Sequence, residues 1–178
     1  MLEQARQRTQ EFQTRLRDAK TDIALITDES SIAYLAGFWG YLSIEFGRPT
    51  FLIVRPGEAP VVITPAMESE MVSAMTWIDD VRTWEDSGPD RWENVLSRAL
   101  GDDVKEIGIE AAALPAIVRN WFQDQRPGTG LTNISGFLGA MRMVKSPEEI
   151  HVMRQAGEIA GAMMSAAEGA LAEGAPEY

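Results

Sequence analysis

The sequence contains no cysteine and a single histidine in 178 residues. The first absence excludes disulfides, thiolate metal sites and a cysteine nucleophile, and it fits a reducing compartment, so the cytoplasm is the expected location. The lone imidazole, His151, stands beside Glu148 and Glu149, but position 155 is Gln, so the His pair of a helical metal site is missing. His151 reads as a surface helix residue. Basic residues are also scarce: 16 Lys and Arg against 27 acids give a net charge of −11, which argues against a nucleic-acid partner. No apolar run approaches the roughly 18 to 20 residues of a membrane span. The start, Met1-Leu2-Glu3-Gln4, lacks the basic-then-apolar layout of a signal peptide. Neither a Gly-x-Ser-x-Gly elbow nor a Gly-x-x-x-x-Gly-Lys phosphate loop occurs. Adjacent acids at Asp79-Asp80, Glu85-Asp86 and Asp102-Asp103 fall near turns and read as solvated loop charges. On its residues alone the chain offers no catalytic constellation.

What is present is the balance of one globular domain, 45% apolar and 24% charged. Leu2, Ala5, Thr9, Phe12 and Leu16 form one stripe of an amphipathic helix. Asp22 to Thr27 is a β-branched run suited to a sheet covered on both faces. Ile32 and Leu35 mark a short helical segment that Gly37 ends. Thr50 to Arg55 and Val61 to Thr64 flank Pro56-Gly57-Glu58-Ala59-Pro60 and predict an antiparallel hairpin. Met67, Met71 and Met75 repeat every four residues on a predicted helix over 68–75, where they are expected to fill core. Asp80 to Trp84, Glu106 to Ile109 and Leu131 to Ile134 are further strand candidates. Between them lie helical stripes Trp92, Val95, Leu96, Ala99, Leu100 and Leu114, Ile117, Val118, Trp121, Phe122. Strands alternating with helices, plus one hairpin, predict an α/β fold with a six-stranded mixed sheet.

Two regions stand apart. Ser146-Pro147-Glu148-Glu149 combines an N-cap, a proline at the first helical position and a capping-box Glu. The long helix that follows carries Ile150, Met153, Gly157, Ala160 and Met164 on one stripe, and little sequence remains for that stripe to pack on. The connection from Gly37 to Arg48 holds Phe38, Trp39, Tyr41, Phe46 and Arg48, punctuated by Gly40 and Gly47. Two readings stand for its aromatics: they fold back as core, or they form a surface on which something docks.

Three segments together resemble the N-terminal domain of the creatinase/prolidase family, enzymes whose C-terminal half has the pita-bread fold. Ser31-Ile32-Ala33-Tyr34-Leu35-Ala36-Gly37-Phe38 is similar to that family's Asn-Ile-x-Tyr-Leu-Thr-Gly-Phe, departing at Ser31 and Ala36. Lys105-Glu106-Ile107-Gly108-Ile109-Glu110 is similar to its late strand. Arg142 to Ile150, with Met153-Arg154-Gln155-Ala156, is similar to its interdomain segment and the first helix of the catalytic half, and 173–178 to the Gly-x-x-Glu turn after it. The resemblance implies a six-stranded mixed sheet flanked by helices, ribonuclease-H-like in outline. It implies an N-terminal domain over 1–140, and over 141–178 the interdomain segment and first helix of a truncated C-terminal domain. The metal-binding and catalytic residues of such enzymes lie downstream, so none is carried over to this chain. A dinuclear Mn, Co or Zn site would belong to the parent enzyme, a hydrolase of Xaa-Pro peptides or of small amidino or amide carboxylates.

The resemblance further implies a homodimer in which this domain lends a loop to the partner's active site. Phe46-Gly47-Arg48 is similar to the Phe-Gly-Arg of creatinases, and Trp39 falls near a loop aromatic of the aminopeptidases. Phe46, Arg48 and Trp39 are therefore the expected substrate contacts in trans, with the planar guanidinium fork suited to a substrate carboxylate. The alternative is a free-standing dimerisation or small-ligand-binding module without catalytic activity.

Overall fold

The structure, a computed structural model, describes residues 2–40, 42, 46–171 and 174. The chain divides into two compact units, 1–139 and 140–178.

In the first unit, six strands form one sheet: β1 (Ala24–Ile26), β2 (Phe51–Val54), β3 (Val61–Pro65), β4 (Asp80–Trp84), β5 (Glu106–Ile109) and β6 (Gly130–Asn133). Their order across the sheet is β4-β3-β2-β1-β5-β6. β2 pairs antiparallel with both β1 and β3, and the remaining pairings are parallel, so β2 is the one reversed strand. The sheet is mixed for a physical reason. The six residues between β2 and β3 suffice only for a hairpin, whereas the connections from β3 to β4, β4 to β5 and β5 to β6 contain helices and cross over. The six expected strands are all present, shifted at their ends by one or two residues.

Alternation along each strand sends side chains to opposite faces. Leu25, Phe51, Ile53, Val61 and Ile63 enter one cluster with Val95 and Leu96 of α4 (Trp92–Leu100) and Val118 and Phe122 of α5 (Ala116–Gln125). Trp92 and Trp121 close that layer, ring centroids 5.8 Å apart. Ala24, Ile26, Leu52, Val54 and Val62 of the same strands are equally buried and face the other way. On that side α2 (Glu29–Ala36) lies against β2, and α1 (Leu2–Asp18) against α2. Ala5, Thr9, Phe12 and Leu16 are the buried positions of α1, which is the predicted stripe without its first member. The Thr9 hydroxyl donates to the Leu35 carbonyl at 2.9 Å, so the one polar residue on the stripe is satisfied by α2. A pair of helices on each face explains why no strand shows a polar-out pattern except the edges β4 and β6.

The methionine expectation fails. Met67 is 68% exposed, Met75 is also exposed and Met71 is half-buried. A 3₁₀ turn over Ala66–Glu68 precedes α3 (Ser69–Met75), and the inward line runs through Glu68 and Val72. That line is one residue on from Met67 and Met71, a rotation of about 100° that turns the sulfur-bearing stripe outward. Glu68 is tolerated inside because the Thr64 hydroxyl donates to its carboxylate at 3.0 Å, with Thr50 Oγ1 3.2 Å from Thr64 Oγ1.

α6 (Ser135–Met143) follows β6, and in the second unit α7 (Pro147–Ala170) begins as predicted. Glu149 N–H donates to Ser146 Oγ at 3.1 Å, and Ser146 N–H donates to the Glu149 carboxylate at 2.7 Å. His151 is exposed on it, and no residue of the helix is buried. Residues 172–173 and 175–178 lie outside the described residues. Helices draw most of their stability from packing, and one cap worth about 1 kcal/mol acts only on the first turn. Amide exchange from Gly157 onward is therefore expected to be fast in dilute solution and to slow as concentration rises and copies pair. Exchange mass spectrometry at two concentrations checks this. Strong, concentration-independent protection would count against it.

Candidate functional site

The last residues of the connection from α2 to β2, Arg48 and Pro49, lie beside the carboxyl ends of β3 and β4, and their placement follows from the sheet register. Asp28 caps α2 by accepting from Ser31 N–H at 2.8 Å, and Gly37 closes it with φ of 83°, its N–H donating to the Ala33 carbonyl. The positive φ favours glycine there, and a Cβ would also have to displace the Leu2 side chain and crowd the Met75 carbonyl at 3.2 Å. The next residue, Phe38, is fully buried. Its ring packs on Gly40, where a Cβ would come within 3.0 Å. Trp39 turns the other way and is 52% exposed. Tyr41 and residues 43–45 lie outside the described residues. Phe46 is 64% exposed, and Gly47 follows with φ of 64°. The described aromatics of the connection thus divide: Phe38 is core, and Trp39 and Phe46 are exposed.

Arg48 sits at the join with the sheet. Phe51 pairs with Ile63, and the two threonine hydroxyls extend that register to Thr50 and Thr64, which brings Arg48 and Pro49 opposite the end of β3. Pro65 pairs with Trp84, so Met67 and Asp86, each two residues further, emerge side by side. The Arg48 guanidinium reaches both. One terminal nitrogen donates to Asp86 Oδ2 and the other to Met67 Sδ at 2.9 Å. The backbone beneath is pinned by the Trp84 indole N–H, which donates to the Pro49 carbonyl at 2.9 Å, and by Arg48 N–H on the Leu42 carbonyl at 3.2 Å.

The structure therefore brings Phe46 and Arg48 together on one exposed loop and leaves Trp39 exposed in the same connection. Sequence reasoning missed Met67 and Asp86. Asp86 remains solvent-exposed, as expected of a loop charge, but it is paired. The strand register was the signal that could have found it, since Asp86 is 38 residues from its partner in sequence. Asp80, at the other end of β4, is held below the usual carboxylate range by its hydrogen bond to Arg82. That ion pair caps a strand end and lies away from the loop.

The fold and this loop can be compared with known proteins. Residues 8–144 match the Creatinase/Prolidase N-terminal domain family. The chain belongs to that family. An Xaa-Pro dipeptidase of Lactobacillus helveticus is 30% identical over 145 residues, which is 80% of this chain and 38% of that protein. A creatinase of Bacillus sp. (strain B-0618) is 27% identical over 175 residues, 93% of this chain and 41% of the creatinase. Among solved structures, the prolidase from Pyrococcus horikoshii OT3 superposes with a TM-score of 0.74 at 20% identity, covering 93% of this chain and 43% of that one. This chain thus spans about two-fifths of the length of the curated relatives it matches. The six-stranded mixed sheet, its flanking helices and the final helix are those of this family's fold.

No helix among the described residues is long and apolar enough to cross a membrane. No three His, Cys, Asp or Glu among them converge as a metal ligand set.

Proposed function

We propose that this chain is the non-catalytic N-terminal domain of a longer cytoplasmic hydrolase. That enzyme cleaves a C–N bond in an Xaa-Pro dipeptide or in a small amidino or amide carboxylate. Within it, the domain serves dimerisation and lends Trp39, Phe46 and Arg48 to the substrate of the partner subunit. The observation that carries the reading is Phe46-Gly47-Arg48 itself. Its aromatic ring is out in solvent, its glycine is in the left-handed region, and its guanidinium already grips a carboxylate. A phenyl group left in water forfeits roughly 1.5 to 3 kcal/mol of burial energy, so an exposed Phe beside a carboxylate-binding Arg is more consistent with a contact surface than with a packing role. The relatives supply the substrate class, since the similar proteins are an Xaa-Pro dipeptidase and a creatinase.

The dinuclear Mn, Co or Zn centre that such a hydrolase would use does not fit this chain. A transition-metal site needs three or four convergent ligands; the one histidine stands exposed on α7, and among the described residues no such set converges. We assign that centre to the part of the enzyme beyond this domain. The 178-residue chain alone is then expected to hydrolyse neither Xaa-Pro dipeptides nor creatine. Calorimetric titration with Mn²⁺ and Zn²⁺ should show no stoichiometric binding tighter than about a micromolar. Turnover by the isolated chain, or tight metal binding, would overturn the assignment.

A further inference from the structure

We propose that Asp86 is an internal carboxylate that holds the Arg48 guanidinium against its own chain and is exchanged for the substrate carboxylate on binding. The proposal rests on the reading of Arg48 as a carboxylate clamp and adds a second residue to it. Three observations carry it. First, the guanidinium is committed on both terminal nitrogens, to Asp86 Oδ2 and to Met67 Sδ, and both acceptors belong to loops that leave the sheet beside it. An arginine reaching across to a neighbouring subunit must project away from its own chain, so this rotamer is a parked one. Second, the contacts are of a kind that yields. A thioether is a weak acceptor, and the Asp86 side chain is 62% exposed, so water competes for it. Third, what anchors the loop does not involve the guanidinium. The Trp84 indole holds Pro49, and the Leu42 carbonyl holds the Arg48 amide, so the side chain can leave while the backbone stays.

The exchange keeps the guanidinium paired throughout, and the released Asp86 carboxylate, 62% exposed, is taken up by water. An arginine without a partner would expose an unneutralised cation at the loop, while one paired with Asp86 meets an incoming carboxylate as a like-for-like replacement. Asp86 thereby also selects: a ligand lacking a carboxylate cannot displace it and gains nothing from Arg48.

The test uses the 178-residue chain labelled with ¹⁵N-arginine, with acetate as the probe and chloride at equal ionic strength as the control. The Arg48 signals are assigned by their loss in Arg48→Met. In the wild type, rotation about the Arg48 Cζ–N bonds should be hindered. In Asp86→Asn it should be free, and the acetate concentration at half-response should fall about two- to fivefold, the range expected for removing one weak exposed competitor. Asp86→Ser, which also lacks the charge, should behave as Asp86→Asn, which separates loss of the carboxylate from a disturbance of the turn by either substitution. Equal half-response in wild type and both variants, or no Arg48 response to acetate in any of them, overturns the exchange. The clamp reading has its own failure, Arg48→Met leaving turnover by the full-length enzyme unchanged, so the two can be told apart.

Discussion

Replacing Phe38 by Ala is expected to lower the unfolding free energy by about 3 to 5 kcal/mol, while Phe46→Ala, eight residues on, changes it by less than about 0.5 kcal/mol. Phe38 is fully buried, and its ring fills the space over Gly40 directly behind the α2 cap. Truncation removes its transfer energy and leaves a cavity that the fixed backbone of Gly37 and Gly40 cannot close. Phe46 has little to lose because most of its surface is already in water. Urea denaturation of the two variants checks this directly. The midpoint should shift strongly for Phe38→Ala with an unchanged slope, and barely for Phe46→Ala. Similar losses from both would mean that Phe46 is packed in solution and that the loop is core throughout, which would remove the basis for a docking surface.

How much of this was legible beforehand depended on the distance over which each feature is determined. The strands are local objects, and runs such as Phe51-Leu52-Ile53-Val54 announce themselves by composition. The α2 stop at Gly37 and the α7 start at Ser146 were equally plain, because caps are set by one or two side chains. The Met67, Met71 and Met75 stripe was misread because periodicity gives a helix's spacing without its phase. A 3₁₀ turn of three residues was enough to rotate Glu68 and Val72 inward instead. Phe38 and Trp39 could not be told apart at all, since neighbours in an irregular connection share no period. The Arg48–Asp86 pair was the least legible. It exists only because β3 and β4 run parallel in the register that sets Pro65 beside Trp84. Strand order and register are properties of the assembled sheet, and no window of sequence around Arg48 contains them. Phe46 and Arg48, by contrast, took their expected role from resemblance alone. The structure adds that one is exposed and the other is paired with a carboxylate.

Arg48→Met should leave the domain's stability nearly unchanged and lower kcat/KM of the full-length enzyme by about ten- to a hundredfold. Met retains much of the apolar stem and loses the fork and the charge. The contacts removed from the free domain are an exposed ion pair and a thioether hydrogen bond, together worth at most about 1 kcal/mol. The contact removed from the enzyme is a charge-assisted pair with a substrate carboxylate, worth roughly 1.5 to 3 kcal/mol. Those magnitudes separate a functional loss from a folding loss. Whether the guanidinium acts across the subunit boundary is decided by mixing the Arg48→Met protein with a variant inactivated in its catalytic half. A mixed dimer that shares residues across the interface holds one site carrying both defects and one carrying neither, so activity should return as subunits exchange. A mixture that stays inactive after exchange has been demonstrated by differential labelling would place the clamp within its own chain or remove it from catalysis. The Asp86 pairing makes that alternative concrete, because it shows a carboxylate within reach of Arg48 on the same chain.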